Sequence, residues 1–179
     1  YALELNLPLI KISSFELIHL PLLKAVQKTG LPAIVSTGMA EFSEIEKCIQ
    51  IFKGDRNKIC LLKCTSDYPA SIKTTHIGQM SSMGEMFKVP VGLSDHSLSN
   101  LPSVIATSLG AIIIEKHFIL DKKLKTPDSF FSLDESDFKN LVMDIRSTTK
   151  MLELKDLEKI RQKSESHSVW ERPSLYFSR

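Results

Sequence analysis

The sequence predicts an α/β fold, the C-terminal five βα units of a TIM (β/α)8 barrel truncated at both ends. Three observations predict it. Five short apolar, β-rich runs recur along the 179 residues, each the length of a strand buried on both faces. Helix-like sequence follows most of them. Each run also closes in a burst of Ser, Lys, His or Glu, which delivers polar groups to one rim, where such a barrel builds its active site. Marking the bursts at Lys11, Ser36, Lys63, Ser94 and Glu115 gives steps of 25, 27, 31 and 21 residues. A full barrel needs about 250 residues, or about 31 per unit. Five units therefore fit and three are lacking, so residues 1–154 are expected to form strands 4 to 8 with their helices.

The first run, LIKISSFE (9–16), opens the sheet. A helix over 21–29 carries Leu22, Leu23 and Val26 on one face and stops at Gly30. Leu31-Pro32 leads into AIVSTG (33–38). The second helix, over 43–52, sets Ile45, Cys48, Ile49 and Phe52 at helical spacing, with Glu44 and Glu46 in its first turn, where the helix dipole favours anions. CLLKCTS (60–66) is followed by a looser, Met-rich helix over 74–87. VGLSDH (91–96) precedes a small apolar helix over 101–109, which leads through Gly110 into IIIEKH (112–117). A final helix over 134–154 opens at Leu133-Asp134 and carries Phe138, Leu141, Val142 and Ile145. Residues 155–179 turn charged, then regain Trp170, Leu175, Tyr176 and Phe177. They are expected to be a linker and the start of a missing further domain.

With 42% hydrophobic and 25% charged residues and a net charge of +2, the composition gives no argument for nucleic-acid or membrane partners. No apolar stretch approaches the roughly 18 residues of a membrane span, and no signal peptide is expected. Cys48, Cys60 and Cys64 are an odd set of thiols; free buried cysteines in a reducing cytoplasm are expected.

Two histidines come from consecutive strand ends, His96 after Ser94-Asp95 and His117 after Glu115-Lys116. Adjacent strand ends bring two imidazoles within reach of one divalent metal, in a site left open for water or substrate oxygens. A pair of hydrogen-bonded rim histidines is the plainer alternative. Lys11, Ser14, Ser36, Ser66 and Ser94 form a ring of one cation and several hydroxyls that suits a phosphate or carboxylate. A single serine reads first as a helix cap, and it is the ring as a whole that favours phosphate. Glu16 ends the first burst, and Asp128 follows Pro127 on the loop after the last strand. Either carboxylate suits a general acid or base or a sugar hydroxyl, and Asp128 also reads as a turn residue. Tyr68 sits on the loop after the third strand, as packing or with its hydroxyl toward the mouth. His19, His76 and His167 read as solvated.

Six blocks in order resemble the sialic acid synthase family, and within it the pseudaminic acid synthases: KISSFE (11–16), VSTGMA (35–40), LLKCTSDYPA (61–70), VGLSDHS (91–97), EKHFILDK (115–122) and PDSFFSLDESDFK (127–139). RPSLYFSR from Arg172 resembles the entry to that family's C-terminal antifreeze-like domain. The resemblance implies condensation of phosphoenolpyruvate with an N-acetylated amino sugar aldehyde, releasing phosphate and forming a nine-carbon acid. It implies that His96 and His117 ligate a divalent metal, Mn²⁺ first with Mg²⁺ or Co²⁺ as alternatives. Lys11, Ser14, Ser36, Ser66 and Ser94 are implied to hold phosphoenolpyruvate, and Glu16, Tyr68 and Asp128 to surround the sugar and the reacting carbon. It further implies a homodimer. A second phosphate-binding lysine and an acidic residue are implied in three strands this chain lacks, and a sugar-contacting arginine in the missing domain. The isolated 179 residues are therefore expected to be inactive.

LLKCTS, GLSDHS, EKHFILDK and FSLD favour the pseudaminic subtype over neuraminic relatives, which often have histidine at the position of Lys63. The implied sugar is 2,4-diacetamido-2,4,6-trideoxy-altrose, made for flagellin or surface glycan decoration in bacteria. A legionaminic or neuraminic synthase is the alternative within the class. Outside it stand a pyruvate-using metal aldolase, for which the Lys11 and serine ring has little use, and a non-catalytic fragment serving as a binding or assembly partner.

Overall fold

The computed structural model describes residues 3–53 and 56–153. Five parallel strands form one sheet in chain order: β1 (Ile10–Ile12), β2 (Ala33–Ser36), β3 (Ile59–Cys64), β4 (Val91–Asp95) and β5 (Ile114–Lys116). Five helices complete the units: α1 (Leu20–Lys28), α2 (Phe42–Ile51), α3 (Gly78–Phe87), α4 (Leu101–Ser108) and α5 (Glu135–Leu152). Consecutive strands pair without exception, which makes a curved half-barrel, as the repeat spacing predicts. The expected linker and domain start at 155–179 lie outside the described residues.

The register fixes which side chains face the lumen. Ile34 aligns with Lys11 and Cys60, Leu62 with Ser36 and Gly92, and Cys64 with Ser94, which aligns with Glu115. Since side chains alternate along a strand, Lys11, Ser36, Cys64, Ser94 and Glu115 share one face. Ile12, Val35, Leu61 and Leu93 share the other and meet the helices. The main core gathers Ile12, Val35 and Leu61 against Leu23 and Val26 of α1 and Ile45, Cys48 and Ile49 of α2. Met80, Leu93 and Ala106 form a second cluster under α3 and α4. Burial pushes the Cys48 thiol up to about 12 and that of Cys60 up to about 11. All three cysteines are free and buried.

The expected elements appear, mostly trimmed at their ends, and two details differ. The helix expected over 74–87 begins only at Gly78. Ser71 instead caps a short 3-10 turn at Ile72–Thr74 by accepting the Lys73 amide, and His76 takes a left-handed φ of 42°, which breaks the helix before it starts. Lys63 also leaves the rim. One position off the Cys64 and Ser94 register, it faces the helices, where it is 8% exposed. Burial holds its ammonium below the usual lysine range, while Nζ donates to the Cys64 carbonyl at 3.0 Å and to Thr65 Oγ1 at 3.3 Å. Gly30, with φ of 70°, ends α1 as expected. No described helix is long and apolar enough to cross a membrane.

Candidate active site

The two histidines meet. His96 follows β4 and His117 follows β5, with ring centroids 5.2 Å apart. His96 Nδ1 lies 2.8 Å from the Thr65 carbonyl. A carbonyl only accepts, so Nδ1 carries the proton and Nε2 keeps a free lone pair. Burial holds the His96 pKa below the usual imidazole range, with the Thr65 bond opposing that shift, so the ring is neutral at neutral pH. His117 Nδ1 stands 3.5 Å from Asp128 Oδ2. The chain after β5 is clipped in place by Leu133, whose amide donates to the His117 carbonyl at 2.9 Å.

Aromatic rings roof the pair. Tyr68 stacks on His96 at 4.3 Å, and Phe131, buried, lies 4.8 Å from His117 and 5.3 Å from Tyr68. Burial, with negative neighbours including Asp128 and Glu115, raises the Tyr68 pKa, so its hydroxyl keeps its proton.

Beside them lies a hydroxyl cradle around Gly38. Its amide donates to Ser14 Oγ at 3.0 Å. A Cβ on Gly38 would fall 2.9 Å from Ser14 Oγ and 2.4 Å from Ser66 Oγ. The Ser36 and Ser66 hydroxyls are both buried without a hydrogen-bond partner. Such orphaned groups are costly unless something completes them. Lys11 Nζ donates to its neighbour's carbonyl, Ile12 O, at 2.9 Å and stands 3.5 Å from Glu115 Oε2, whose Oε1 accepts from Ser94 Oγ at 2.8 Å.

The structure thus joins His96, His117, Tyr68 and Asp128, and separately Lys11, Ser94 and Glu115, with Ser14, Ser66 and Ser36 on the same rim. Glu16 is different. It is exposed and folds back on Ser13, accepting its amide at 3.0 Å and its hydroxyl more closely still. Those two bonds, Ser13's hydroxyl first, lower its pKa and hold the carboxylate on its own turn rather than at the two histidines. Sequence reading gave Glu115 and Phe131 no role. Glu115 was findable, since two residues before His117 on a strand is the same face; Phe131, on a loop, had no such signal.

For a divalent metal the donor set fits an open site only. Among the described residues no group of three or more His, Cys, Asp or Glu gathers into a cage. His96 Nε2 and the His117 ring would supply two nitrogens, and water or substrate the rest.

Five parallel βα units with polar side chains gathered on one rim place the chain among TIM-barrel-like α/β domains. The chain belongs to the NeuB family, whose profile matches residues 2–156. It is 44% identical over 146 residues to a pseudaminic acid synthase of Helicobacter pylori, covering 81% of this chain and 43% of that protein. It is 38% identical over 157 residues to an N,N'-diacetyllegionaminic acid synthase of Legionella pneumophila, covering 85% and 44%. Among solved structures, an N-acetylneuraminic acid synthetase of Leptospira borgpetersenii in complex with citrate superposes with a TM-score of 0.81 at 30% identity, over 91% of this chain and 60% of that one. The chain spans less than half the length of these two curated relatives.

Proposed function

We propose that this chain supplies the metal- and phosphate-facing part of a synthase that condenses phosphoenolpyruvate with 2,4-diacetamido-2,4,6-trideoxy-altrose, giving pseudaminic acid and phosphate. The observation that carries the reading is the pair of buried, unpartnered hydroxyls of Ser36 and Ser66 on the rim that holds His96 and His117. An anion bearing several acceptor oxygens completes both. Lys11 adds the positive charge, and Ser14 and Ser94 complete the ring. Similarity to the pseudaminic acid synthase of Helicobacter pylori supports the subtype; that to the legionaminic synthase makes the corresponding sugar the second reading.

In this reading His96 and His117 hold a divalent ion, Mn²⁺ first, which when bound supplies a Lewis acid for the sugar aldehyde. The enol carbon of phosphoenolpyruvate forms a bond to the aldehyde carbon, water adds at the adjacent carbon, and phosphate leaves with its bonding pair. Lys11 and the serines neutralise that departing charge. In this reading Glu115, between Lys11 and Ser94, moves protons at the carbon undergoing change, and Glu16 joins it only by leaving its bonds to Ser13. Tyr68 and Phe131 exclude water above the histidines, and Asp128 holds a sugar hydroxyl beside His117. The enzyme works as a homodimer in the bacterial cytoplasm, to which three free thiols are suited, and its product decorates flagellin or surface glycans.

The test is phosphate release by the complete gene product with phosphoenolpyruvate and Mn²⁺, offered the diacetamido-trideoxy-altrose, its legionaminate-forming counterpart and N-acetylmannosamine in parallel. Release with the first sugar alone supports the reading. Release only with another moves the subtype, and release with none, in folded and metal-loaded protein, overturns it.

A further inference from the structure

Behind the site, on the face of the sheet turned to the helices, lies an ion pair that the chemistry above does not use. Asp95 and Lys116 are aligned partners in the β4–β5 ladder. Each directly precedes a site histidine, and both side chains are 1% exposed. Lys116 Nζ stands 2.8 Å from Asp95 Oδ2 and donates to the Ser97 carbonyl at 2.5 Å and that of Ser99 at 3.4 Å. Asp95 Oδ1 accepts the Ser97 amide at 2.8 Å, and its Oδ2 accepts from Ser103 Oγ of α4 at 2.8 Å.

We propose that Asp95 and Lys116 are positioning residues, a cross-strand clamp that fixes the spacing of His96 and His117 from behind the sheet. The bonds ask for this reading. The backbone on both sides of His96 is tied to Lys116, through the Asp95 carboxylate before it and the Ser97 carbonyl after it. The next residue after Lys116 is His117. Any slip of β4 against β5 breaks these bonds and separates the rings together. Stability alone does not require two buried charges here, because the pair adjoins the apolar Leu93 and Ala106 cluster, and an apolar pair of similar volume commonly folds as well. What an apolar pair lacks is directionality.

The test uses the complete gene product carrying Asp95→Leu with Lys116→Met, beside Lys116→Arg alone. Three quantities are read: the melting temperature, the ring Cε1–H resonances of His96 and His117, and Mn²⁺ affinity from the spin-resonance signal of the free ion. The expected double variant melts within a few degrees of the parent. Its two histidine resonances broaden or split, and Mn²⁺ binds about 10–100-fold more weakly, while Lys116→Arg recovers most of the affinity. Only the Mn²⁺ readout rests on the metal reading of the site. If the parent binds no Mn²⁺, that reading fails by itself and the histidine spectra alone decide the clamp. A folded double variant with parent-like histidine spectra overturns it. Should the double variant not fold, Ser103→Ala removes one bond to Asp95 from a helix remote from the substrate. Perturbed histidine resonances in it support the clamp, and unchanged ones overturn it.

Discussion

Gly38 shows how a single residue sets the chemistry of the cradle. Its missing Cβ leaves the space in which Ser14 and Ser66 present their hydroxyls, one of them without a partner. The nearest atoms that Gly38→Ala pushes are those two hydroxyls and the Cys64 Sγ, all side-chain ends, so the fold should survive while the cradle is displaced. We expect KM for phosphoenolpyruvate to rise about tenfold or more, on the order of 1.4 kcal/mol of binding, with little change in melting temperature. Steady-state phosphate release across phosphoenolpyruvate concentrations checks this, and an unchanged KM removes Gly38 from the site. Lys63 offers a test of a different kind. Burial lowers its pKa, so between that lowered value and about 10.5 the unfolded chain binds more protons than the folded one, and stability rises with pH across that window. Lys63→Met has no such slope. It should therefore be as stable as the parent at pH 7, or more so by up to about 1 kcal/mol, with the difference closing toward pH 10. Denaturant midpoints of both proteins from pH 7 to 10 decide it; a difference that widens with pH contradicts the assignment. Lys63 is also where sequence reading erred. Polar bursts mark strand ends, but only counting by two from Ser94 and Cys64 tells which burst members reach the lumen.

At the level of elements, strands and helices were legible because their periods differ and glycine and proline punctuate them. The expected helix stop at Gly30 and the aspartate opening of α5 hold, with Asp134 accepting the Asp137 amide at 2.9 Å. The start of α3 was not legible, since residues 74–77 can extend the helical pattern and only the capped turn at Ser71 and the backbone of His76 end it early. The β4–β5 pair carries a further requirement invisible to periodicity. A Cβ on Gly92 would meet the Ile113 carbonyl oxygen at 2.3 Å and Leu62 Cδ2 at 2.8 Å. Here the obstacle is backbone, so the strands themselves must part. Gly92→Ala should destabilise the protein by about 2 kcal/mol or more and loosen the strands that deliver both histidines. Denaturant unfolding measures the first effect, and a midpoint equal to the parent's contradicts the close approach.

At the scale of the whole molecule, the repeat spacing made a five-unit parallel half-barrel legible, because each βα unit announces itself locally. What closes the other half of the lumen is not written in these units. Among the described residues the outer edges of β1 and β5 have no strand partner, and such edges invite pairing. Lys11 and Glu115, which project into the lumen from those two outermost strands, keep side chains 32% and 37% exposed. Water at that contact screens the attraction and competes for the very oxygens a phosphate would offer. The curated relatives are more than twice as long as the matched segment, which provides chain to cover the lumen. A protein of these 179 residues alone should therefore release no phosphate above background and bind phosphoenolpyruvate at least about a hundredfold more weakly than a chain extended to its relatives' length, a loss of about 2.7 kcal/mol. The two proteins are compared at equal folded concentration, by phosphate release and by direct binding of phosphoenolpyruvate. Turnover by the short chain within tenfold of the long one would mean that Lys11, the serine cradle and the two histidines suffice in a five-strand half-barrel, and that water exclusion by further chain is not what catalysis here depends on.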